Sequence, residues 1–120
     1  MGGMVASGLG KTDIGNSSVV QGMANEFFEK VGAKYGKSIT YYFEPHVAEA
    51  VFDELMAAES RLTIVRNEPV QSVEFDSSSR QIQSITTTGG TYAAKVFLDA
   101  SYNGELLSRA KVSYTWGREG

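Results

Sequence analysis

Gly10, Lys11 and Thr12 form the glycine–lysine–threonine triplet that ends a phosphate-binding P-loop. The full motif, G-x-x-x-x-G-K-[ST], needs a further glycine at position 5 and lies between a strand and a helix. Val5 occupies that position, and the four residues before it are too few for a strand. Asp13 also places a carboxylate where a phosphate would approach. The spacing therefore argues against a P-loop.

The dinucleotide-binding fingerprint G-x-G-x-x-G fails in the same segment. Gly8 and Gly10 match its first two glycines, but Asp13 stands where the third should be. Glycine is still frequent here, and it permits backbone conformations and close approaches that a Cβ would prevent. The segment therefore needs another explanation for its glycines.

Few ionisable side chains are candidates for acid–base chemistry. His46 is the single histidine, and histidine is the residue type whose unperturbed pKa lies near neutrality, so His46 is a candidate proton donor or cofactor neighbour. The alternative, which we favour, is a solvated histidine in the first turn of a helix. We predict Lys11 to be a solvated cation, because a lysine can act as a base only where burial lowers its pKa. Asp13 is either a turn residue or a site residue, and Asp99 is the carboxylate we expect to serve as a structural or cofactor ligand.

An aromatic cluster, Tyr41-Tyr42-Phe43, precedes a proline. Such rings can stack on a planar ligand, but aromatic residues before a helix more often pack in the core, and we favour core. Trp116 near the end of the sequence is predicted to cover part of a core.

Composition excludes several classes of function. The 120 residues suffice for one domain or part of one, and the net charge of −3 without a basic stripe argues against a nucleic-acid partner. Because cysteine is absent and histidine occurs once, thiolate, iron–sulfur and multi-histidine metal sites are excluded within this sequence. We predict no metal site. No apolar run is long enough to span a membrane and no signal peptide is evident, so the compartment is undetermined, with the cytoplasm as default.

The first half of the sequence is predicted to form a loop followed by two helices. Residues 1–17 are rich in glycine and lack periodicity, so they are predicted to be loop. A first helix should begin near the caps Asn16, Ser17 and Ser18 and stop at Gly36. Pro45 favours the first position of a second helix. The apolar stripes predicted for the two helices are Val20, Met23, Phe27 and Val31, and then Val47, Val51, Leu55 and Ala58.

The second half reads as strands followed by a short helix. Strand candidates are residues 61–67, 70–75, 80–88 and 91–101, with Asp76-Ser77-Ser78-Ser79 as one turn and Gly89-Gly90 as a hairpin turn. Residues 96–98 are apolar on both faces, as in a strand covered on both sides. Leu106, Leu107 and Ala110 should face inward from the helix. The predicted class is α/β: two helices, a parallel strand, an antiparallel meander, a buried strand and a short helix.

This order of elements resembles the middle of a flavoprotein of the glutathione-reductase type. More narrowly, the sequence resembles the FAD-dependent oxidoreductase family, whose members carry Gly-Gly-Met followed by Ser-Gly-Leu. The segments that carry the resemblance cover nearly the whole sequence: residues 2–4 (GGM), 7–9 (SGL), 12–15 (TDIG), 43–49 (FEPHVAE), 96–102 (VFLDASY), 112–114 (VSY) and 117–119 (GRE).

The resemblance implies part of an FAD/NAD(P)-binding Rossmann-like domain spanning residues 1–120. In such proteins a strand, a G-x-G-x-x-G turn and a helix precede Gly-Gly-Met and hold the FAD pyrophosphate. Because no such unit occurs in this sequence, we expect an internal fragment or truncated product without that unit or the C-terminal substrate region. We further expect the isolated chain to bind FAD weakly or not at all and to be inactive.

Roles of individual residues also follow from the resemblance. The Gly2-Gly3-Met4 turn would lie along FAD, and the stretch through Ser7, Gly8, Leu9 and Thr12 would run near the isoalloxazine or the ribityl chain. Val70 would offer backbone groups to the adenine. Asp99-Ala100-Ser101 stands at the second FAD motif, where Thr usually replaces Ser101, and Gly104-Glu105 stands where Gly-Asp is usual.

Two functions remain open at this point. The first is a piece of an FAD-dependent oxidoreductase that contributes flavin-contacting loops to hydride or electron transfer. The second is a non-catalytic remnant or interaction domain that associates with itself through exposed sheet edges. Neither the substrate, the electron acceptor nor the oligomeric state follows from the sequence.

Overall fold

The computed structural model describes residues 2–79, 81–115 and 117, which form two compact units, Met1–Thr63 and Ile64–Gly120. Arg80, Trp116, Arg118 and Glu119, which appear in the predictions above, lie outside the described residues. The N-terminal unit contains helices α1 (Gly3–Ser7), α2 (Gly22–Lys34) and α3 (Pro45–Ala57), with a 3₁₀ turn at Ser17–Val19. The C-terminal unit contains strands β1 (Val70–Phe75), β2 (Ile82–Thr87) and β3 (Thr91–Ala93) and helix α4 (Glu105–Arg109).

The prediction of loop throughout residues 1–17 is wrong. α1 forms inside the glycine-rich segment and contacts α3. Five residues are too few for a stable isolated helix, so packing against the longer helix, rather than intrinsic propensity, holds α1 in place.

The predicted caps start a turn and not the helix itself. The Asn16 side-chain oxygen accepts a hydrogen bond from the Ser18 amide at 3.0 Å and caps the 3₁₀ turn. Gln21 is then extended, and α2 begins at Gly22. The stop at Gly36 is confirmed: this residue has φ of +66°, and Lys37 donates its amide to the Gly32 carbonyl at 2.9 Å. That bond is the one that closes a Schellman motif.

The second predicted helix is confirmed as α3, with Pro45 at its first position. The proline has no N–H to leave unpaired there, and its φ already suits a helix. Glu44, just before the helix, accepts a hydrogen bond from the Tyr35 hydroxyl, and the Glu44 amide donates back to that hydroxyl at 2.9 Å. This exchange ties the start of α3 to the end of α2.

The core of the N-terminal unit is aromatic and aliphatic. Its buried hydrophobic residues are Phe27, Val31, Phe43, Ala48 and Val51. The ring of Phe27 stacks on that of Phe52 with centroids 4.5 Å apart and meets the ring of Phe43 edge-on at 5.9 Å. Phe43 is therefore core, as favoured for the aromatic cluster, but the prediction is wrong for Tyr42, which is 60% exposed.

Three members of the predicted apolar stripes are not in this core. Val20 precedes α2, which begins at Gly22. Met23 is 86% exposed, because α2 begins only one residue earlier and its first turn lies beyond the packed face. Ala58 is exposed because α3 ends at Ala57.

The sheet of the C-terminal unit is an antiparallel meander in the order β1-β2-β3. Val70 pairs with Thr87 at one end of β1, and the register shifts between Val70 and Ser72. The second hairpin is confirmed, but its turn is centred one residue earlier than predicted, because Thr87 donates its amide to the Gly90 carbonyl at 2.8 Å. Thr88 and Gly89 are therefore its central residues.

Two strand predictions are wrong. Residues 61–67 form no strand, and Leu62 and Val65 are 50% and 45% exposed. Residues 94–101 likewise leave the sheet after β3, with Val96 72% and Leu98 88% exposed. A strand needs a hydrogen-bonded neighbour, and among the described residues none pairs with either segment, so β-propensity alone does not form these strands.

Candidate functional site

The first candidate site is the glycine-rich segment of the N-terminal unit. Gly2 has φ of +100°, and a Cβ there would lie 2.6 Å from the ring of Phe52 in α3. Only glycine fits such a contact. The absence of a side chain at Gly2 is therefore required by packing against Phe52 within the protein itself.

The end of this segment pairs with the aromatic cluster. Phe43 donates its amide to the Gly10 carbonyl at 3.0 Å, and Thr12 donates its amide to the Tyr41 carbonyl at 3.1 Å. The Lys11 ammonium lies 5.7 Å from the centroid of the Tyr42 ring, within the range of a cation–π contact. Lys11 is exposed there, as expected for a solvated cation.

Between these anchors about half of the segment is exposed, while Val5, Ala6 and Gly10 are partly buried. Gly8 has φ of +150°, and a Cβ there would have no other heavy atom within 4 Å. The exposed residues include most of those predicted to lie along the flavin: Gly3, Met4, Ser7, Gly8 and Leu9. This part of the segment is accessible to a ligand, while Gly2 and Thr12 at its two ends are partly buried.

His46 is exposed at the second position of α3. That is the location expected for a solvated histidine in a first helical turn. A role in proton transfer stays a prediction.

The second candidate site is a groove of about 350 Å³ in the C-terminal unit. It brings together residues about 30 positions apart in the sequence, because Val70 at the start of β1 lies beside the loop that precedes α4. The predicted cofactor residues that line the groove are Val70, Asp99, Ala100, Ser101 and Glu105, and the other lining residues are Glu68, Pro69, Ile85, Leu98 and Leu106.

Asp99 organises one wall of this groove. One carboxylate oxygen accepts hydrogen bonds from the amide and hydroxyl of Ser101 at 2.9 and 2.7 Å, and the other accepts from the Leu107 amide at 2.9 Å. These donors, led by the Leu107 amide, lower the pKa of Asp99 below its ordinary value. Asp99 is exposed and not, as predicted, at the end of a buried strand. Its hydrogen bonds tie it to the turn into α4, and its role as a cofactor ligand stays a prediction.

Gly104 completes the turn into α4. Its φ of +61° lies in the left-handed region, and Asp99 lies 4.0 Å from the position that a Cβ would take. The motif Asp99-Ala100-Ser101 and the pair Gly104-Glu105 therefore form one local structure.

Comparison with known proteins identifies the family. A family profile described as FAD dependent oxidoreductase matches residues 1–120. The chain belongs to the FAD-dependent oxidoreductase family. The match confirms the resemblance seen in the sequence, and FAD is the cofactor that the family description names. No curated protein and no solved structure shows a significant match.

The size and charge of the groove limit the kind of ligand group that it could hold. Its volume is at the lower end of the roughly 300–1,000 Å³ typical of small-molecule pockets, enough for part of a dinucleotide. Its lining has apolar side chains and the carboxylates of Glu68, Asp99 and Glu105, and no Lys or Arg is among the described lining residues. Such a charge pattern repels a pyrophosphate and accepts an uncharged base or sugar.

One groove residue, Glu68, was not predicted as a site residue from the sequence of this member of the FAD-dependent oxidoreductase family. Its carboxylate accepts hydrogen bonds from the Thr87 hydroxyl at 2.6 Å and the Tyr92 hydroxyl at 2.9 Å. The hydrogen bond from Thr87 is the main cause that lowers the pKa of Glu68. In the sequence, Glu68 is marked only by its position two residues before Val70, the predicted adenine contact.

The described residues form neither a metal-ligating cluster nor a membrane-spanning helix. Among residues 2–79, 81–115 and 117, no three metal-binding side chains come together in a metal-ligating cluster. No helix in the described part of the chain is long and apolar enough to cross a membrane.

Proposed function

We propose that residues 1–120 form part of a Rossmann-like FAD-binding domain and supply two cofactor-contacting segments. The segment through Gly2, Gly3, Met4, Ser7, Gly8, Leu9 and Thr12 would face the flavin side of FAD. The groove of the C-terminal unit would take the adenosine or the adjoining sugar. The convergence of Val70 with Asp99-Ala100-Ser101 in one groove is the observation that carries this proposal.

In this proposal the protein binds and orients the cofactor. FAD supplies the hydride or electron transfer when bound. Val70 offers backbone groups to the base, and the Asp99-Ser101 turn shapes the wall beside it. Glu105 is the exposed groove carboxylate for which no side-chain hydrogen bond is described, so it is the one placed to accept a bond from a ribose hydroxyl.

Affinity should be low because residues 1–120 contain no G-x-G-x-x-G turn for the pyrophosphate. Isothermal titration of the chain with FAD is expected to show no submicromolar site, that is, none stronger than about −8 kcal/mol. A submicromolar site would contradict this expectation.

The location of weak binding can be tested by NMR. Titration of the ¹⁵N-labelled chain with FAD at millimolar concentration should shift the amide signals of Val70, Ala100 and Ser101. Shifts confined to residues outside the groove and outside the segment 2–12, or no shifts at all, would overturn the proposed site.

A second candidate function is self-association through a sheet edge. β3 pairs with β2 on one side, and among the described residues no strand pairs with its other side. Open edges of this kind pair readily with another chain. Sedimentation velocity would then show a defined oligomer without flavin, whereas a stable monomer at high protein concentration would count against it.

A further inference from the structure

Glu68 lies just before β1, and its side chain is hydrogen-bonded to residues on both sides of the β2–β3 turn. Its carboxylate receives the Thr87 and Tyr92 hydroxyls, which belong to β2 and β3. Its other carboxylate oxygen lies against Gly89, where a Cβ would collide with it. The two hydroxyl donors and the glycine therefore hold this half-buried side chain in one place.

Thr87 is the centre of the arrangement and is only 8% exposed. Besides donating to Glu68, its hydroxyl accepts from the Gly89 and Gly90 amides at 3.2 Å each. Thr87 is also the strand partner of Val70. The residue that Glu68 binds is thus the residue that sets the backbone position of Val70 in the sheet.

Val70 lies at a break in the regular ladder. The register shifts between Val70 and Ser72, and the Gln71 carbonyl accepts a hydrogen bond from the Arg109 guanidinium at 2.7 Å. Irregularities of this kind redirect the backbone of a strand and are frequent next to binding sites. The backbone is therefore held at Val70 by its strand partner Thr87 and at Gln71 by Arg109.

We propose that Glu68 is a positioning residue for the groove: held by Thr87 and Tyr92, it fixes the Val70 backbone in the orientation that meets the ligand. The inference rests on the proposed function, because it takes the groove as the cofactor site. We assign Glu68 no direct contact with the cofactor, because one of its carboxylate oxygens accepts the Thr87 and Tyr92 hydroxyls and the other lies against Gly89.

The test compares three variants of the full chain with the wild type. E68Q keeps the shape but replaces the oxygen that faces Gly89 by an amide donor, and Y92F removes one hydroxyl. T86V is the matched control, because it removes the Thr86–Thr91 hydroxyl contact of 3.2 Å in the same hairpin, and neither residue lines the groove. Circular dichroism first checks that all four proteins have the same secondary structure.

The first measurement uses no ligand. In ¹H–¹⁵N spectra, E68Q and Y92F are expected to shift the amides of Val70, Gln71 and Gly89. T86V should shift signals near Thr86, Thr91 and Ser72, the strand partner of Thr86, and leave those of Val70 and Gly89 unchanged. Unchanged signals at Val70 and Gln71 in both E68Q and Y92F would overturn the inference, independently of the result of the FAD titration.

The second measurement titrates each protein with FAD. The dissociation constant read from Ala100 and Ser101 should rise about threefold or more in Y92F, which loses one hydrogen bond that orients the site. A similar rise is expected in E68Q, because the hydrogen bonds from Thr87 and Tyr92 then go to a neutral oxygen and are weaker than those to a carboxylate. T86V should bind as the wild type does. An equal rise in T86V would mean that general hairpin stability is responsible, and the positioning role would be wrong. If the wild type shows no FAD-dependent shift in the groove, the proposed function fails, and the ligand-free spectra still decide whether Glu68 fixes Val70.

Discussion

The N-terminal and C-terminal units are held together by different forces. All five buried hydrophobic side chains among the described residues belong to the N-terminal unit. In the C-terminal unit, the described residues include one buried side chain, Thr87, and it is polar. There the order comes from the backbone ladder of the antiparallel sheet and from carboxylates that accept several hydrogen bonds each.

This difference predicts opposite sensitivities. Apolar burial depends on side-chain volume and hardly on pH, so the N-terminal unit should respond to cavities and overpacking. Hydrogen bonds to ionised carboxylates depend on charge, so the C-terminal unit should respond to acid and to changes at single turns. The following predictions test the contrast.

Phe27→Ala should have the largest effect. Its ring packs against those of Phe28, Phe43 and Phe52, and removal of such a side chain costs about 3–5 kcal/mol of unfolding free energy. Urea unfolding followed by the helical circular-dichroism signal measures the loss. Met23→Ala on the same helix is the control, because an exposed substitution should change stability by no more than about 0.5 kcal/mol. Equal effects would contradict an apolar core in this unit.

Gly32→Ala should have the next largest effect. A Cβ at this position would lie 2.6 Å from the Ile39 Cα, and overpacking costs about 1–3 kcal/mol. Helix propensity would return about 1 kcal/mol, so a net loss of up to about 2 kcal/mol is expected in the same urea experiment. Ala33→Gly, at an exposed neighbour, reports the propensity contribution alone. A Gly32→Ala variant more stable than the wild type would show that the loop at Ile39 moves away freely.

Acid should loosen the C-terminal unit before the N-terminal unit. Hydrogen bonds lower the pKa values of Glu68, Asp76 and Asp99 below their ordinary values of 4.5, 3.8 and 3.8. Below those ordinary values the unfolded chain binds more protons than the folded one. The stabilisation is thus complete above about pH 5 and is lost as pH falls through the folded pKa values.

Amide hydrogen exchange at a series of pH values, corrected for the intrinsic rate, measures this difference residue by residue. Protection of Ser79 and Leu107, whose amides donate to Asp76 and Asp99, should fall several-fold in acid. Protection of Val31 in α2 should change less. Parallel loss in both units would contradict the contrast between them.

Gly89→Ala should have the smallest and most local effect. The new Cβ would displace the end of the flexible Glu68 side chain and weaken its hydrogen bonds to Thr87 and Tyr92. Gly90→Ala is the matched control, because a Cβ there meets nothing within 4 Å. The chemical shift of the Thr87 amide reports the change. It should move in Gly89→Ala far more than in Gly90→Ala, and the reverse order would place the carboxylate elsewhere.

Local chemistry was enough to predict several parts of the molecule from its sequence. Pro45 started α3, Gly36 followed the end of α2, and the Asp76 carboxylate formed the serine-rich turn by accepting from the Ser78 and Ser79 amides at 2.9 and 2.8 Å. Each depends on a side chain and the backbone within a few residues of it. The family could be recognised for a related reason, because its segments are short and lie in a fixed order.

Long-range packing decided the remainder. α1 exists because α3 is there to receive it, and the segments around Ile64 and Val96 form no strand because none of the described residues supplies a paired neighbour. Glu68 became a candidate only when the sheet brought Thr87 and Tyr92 to it from 19 and 24 residues away. Residue type and spacing specify caps and turns, since their hydrogen bonds close locally. The partner of a strand or of a carboxylate is specified only by the folded chain.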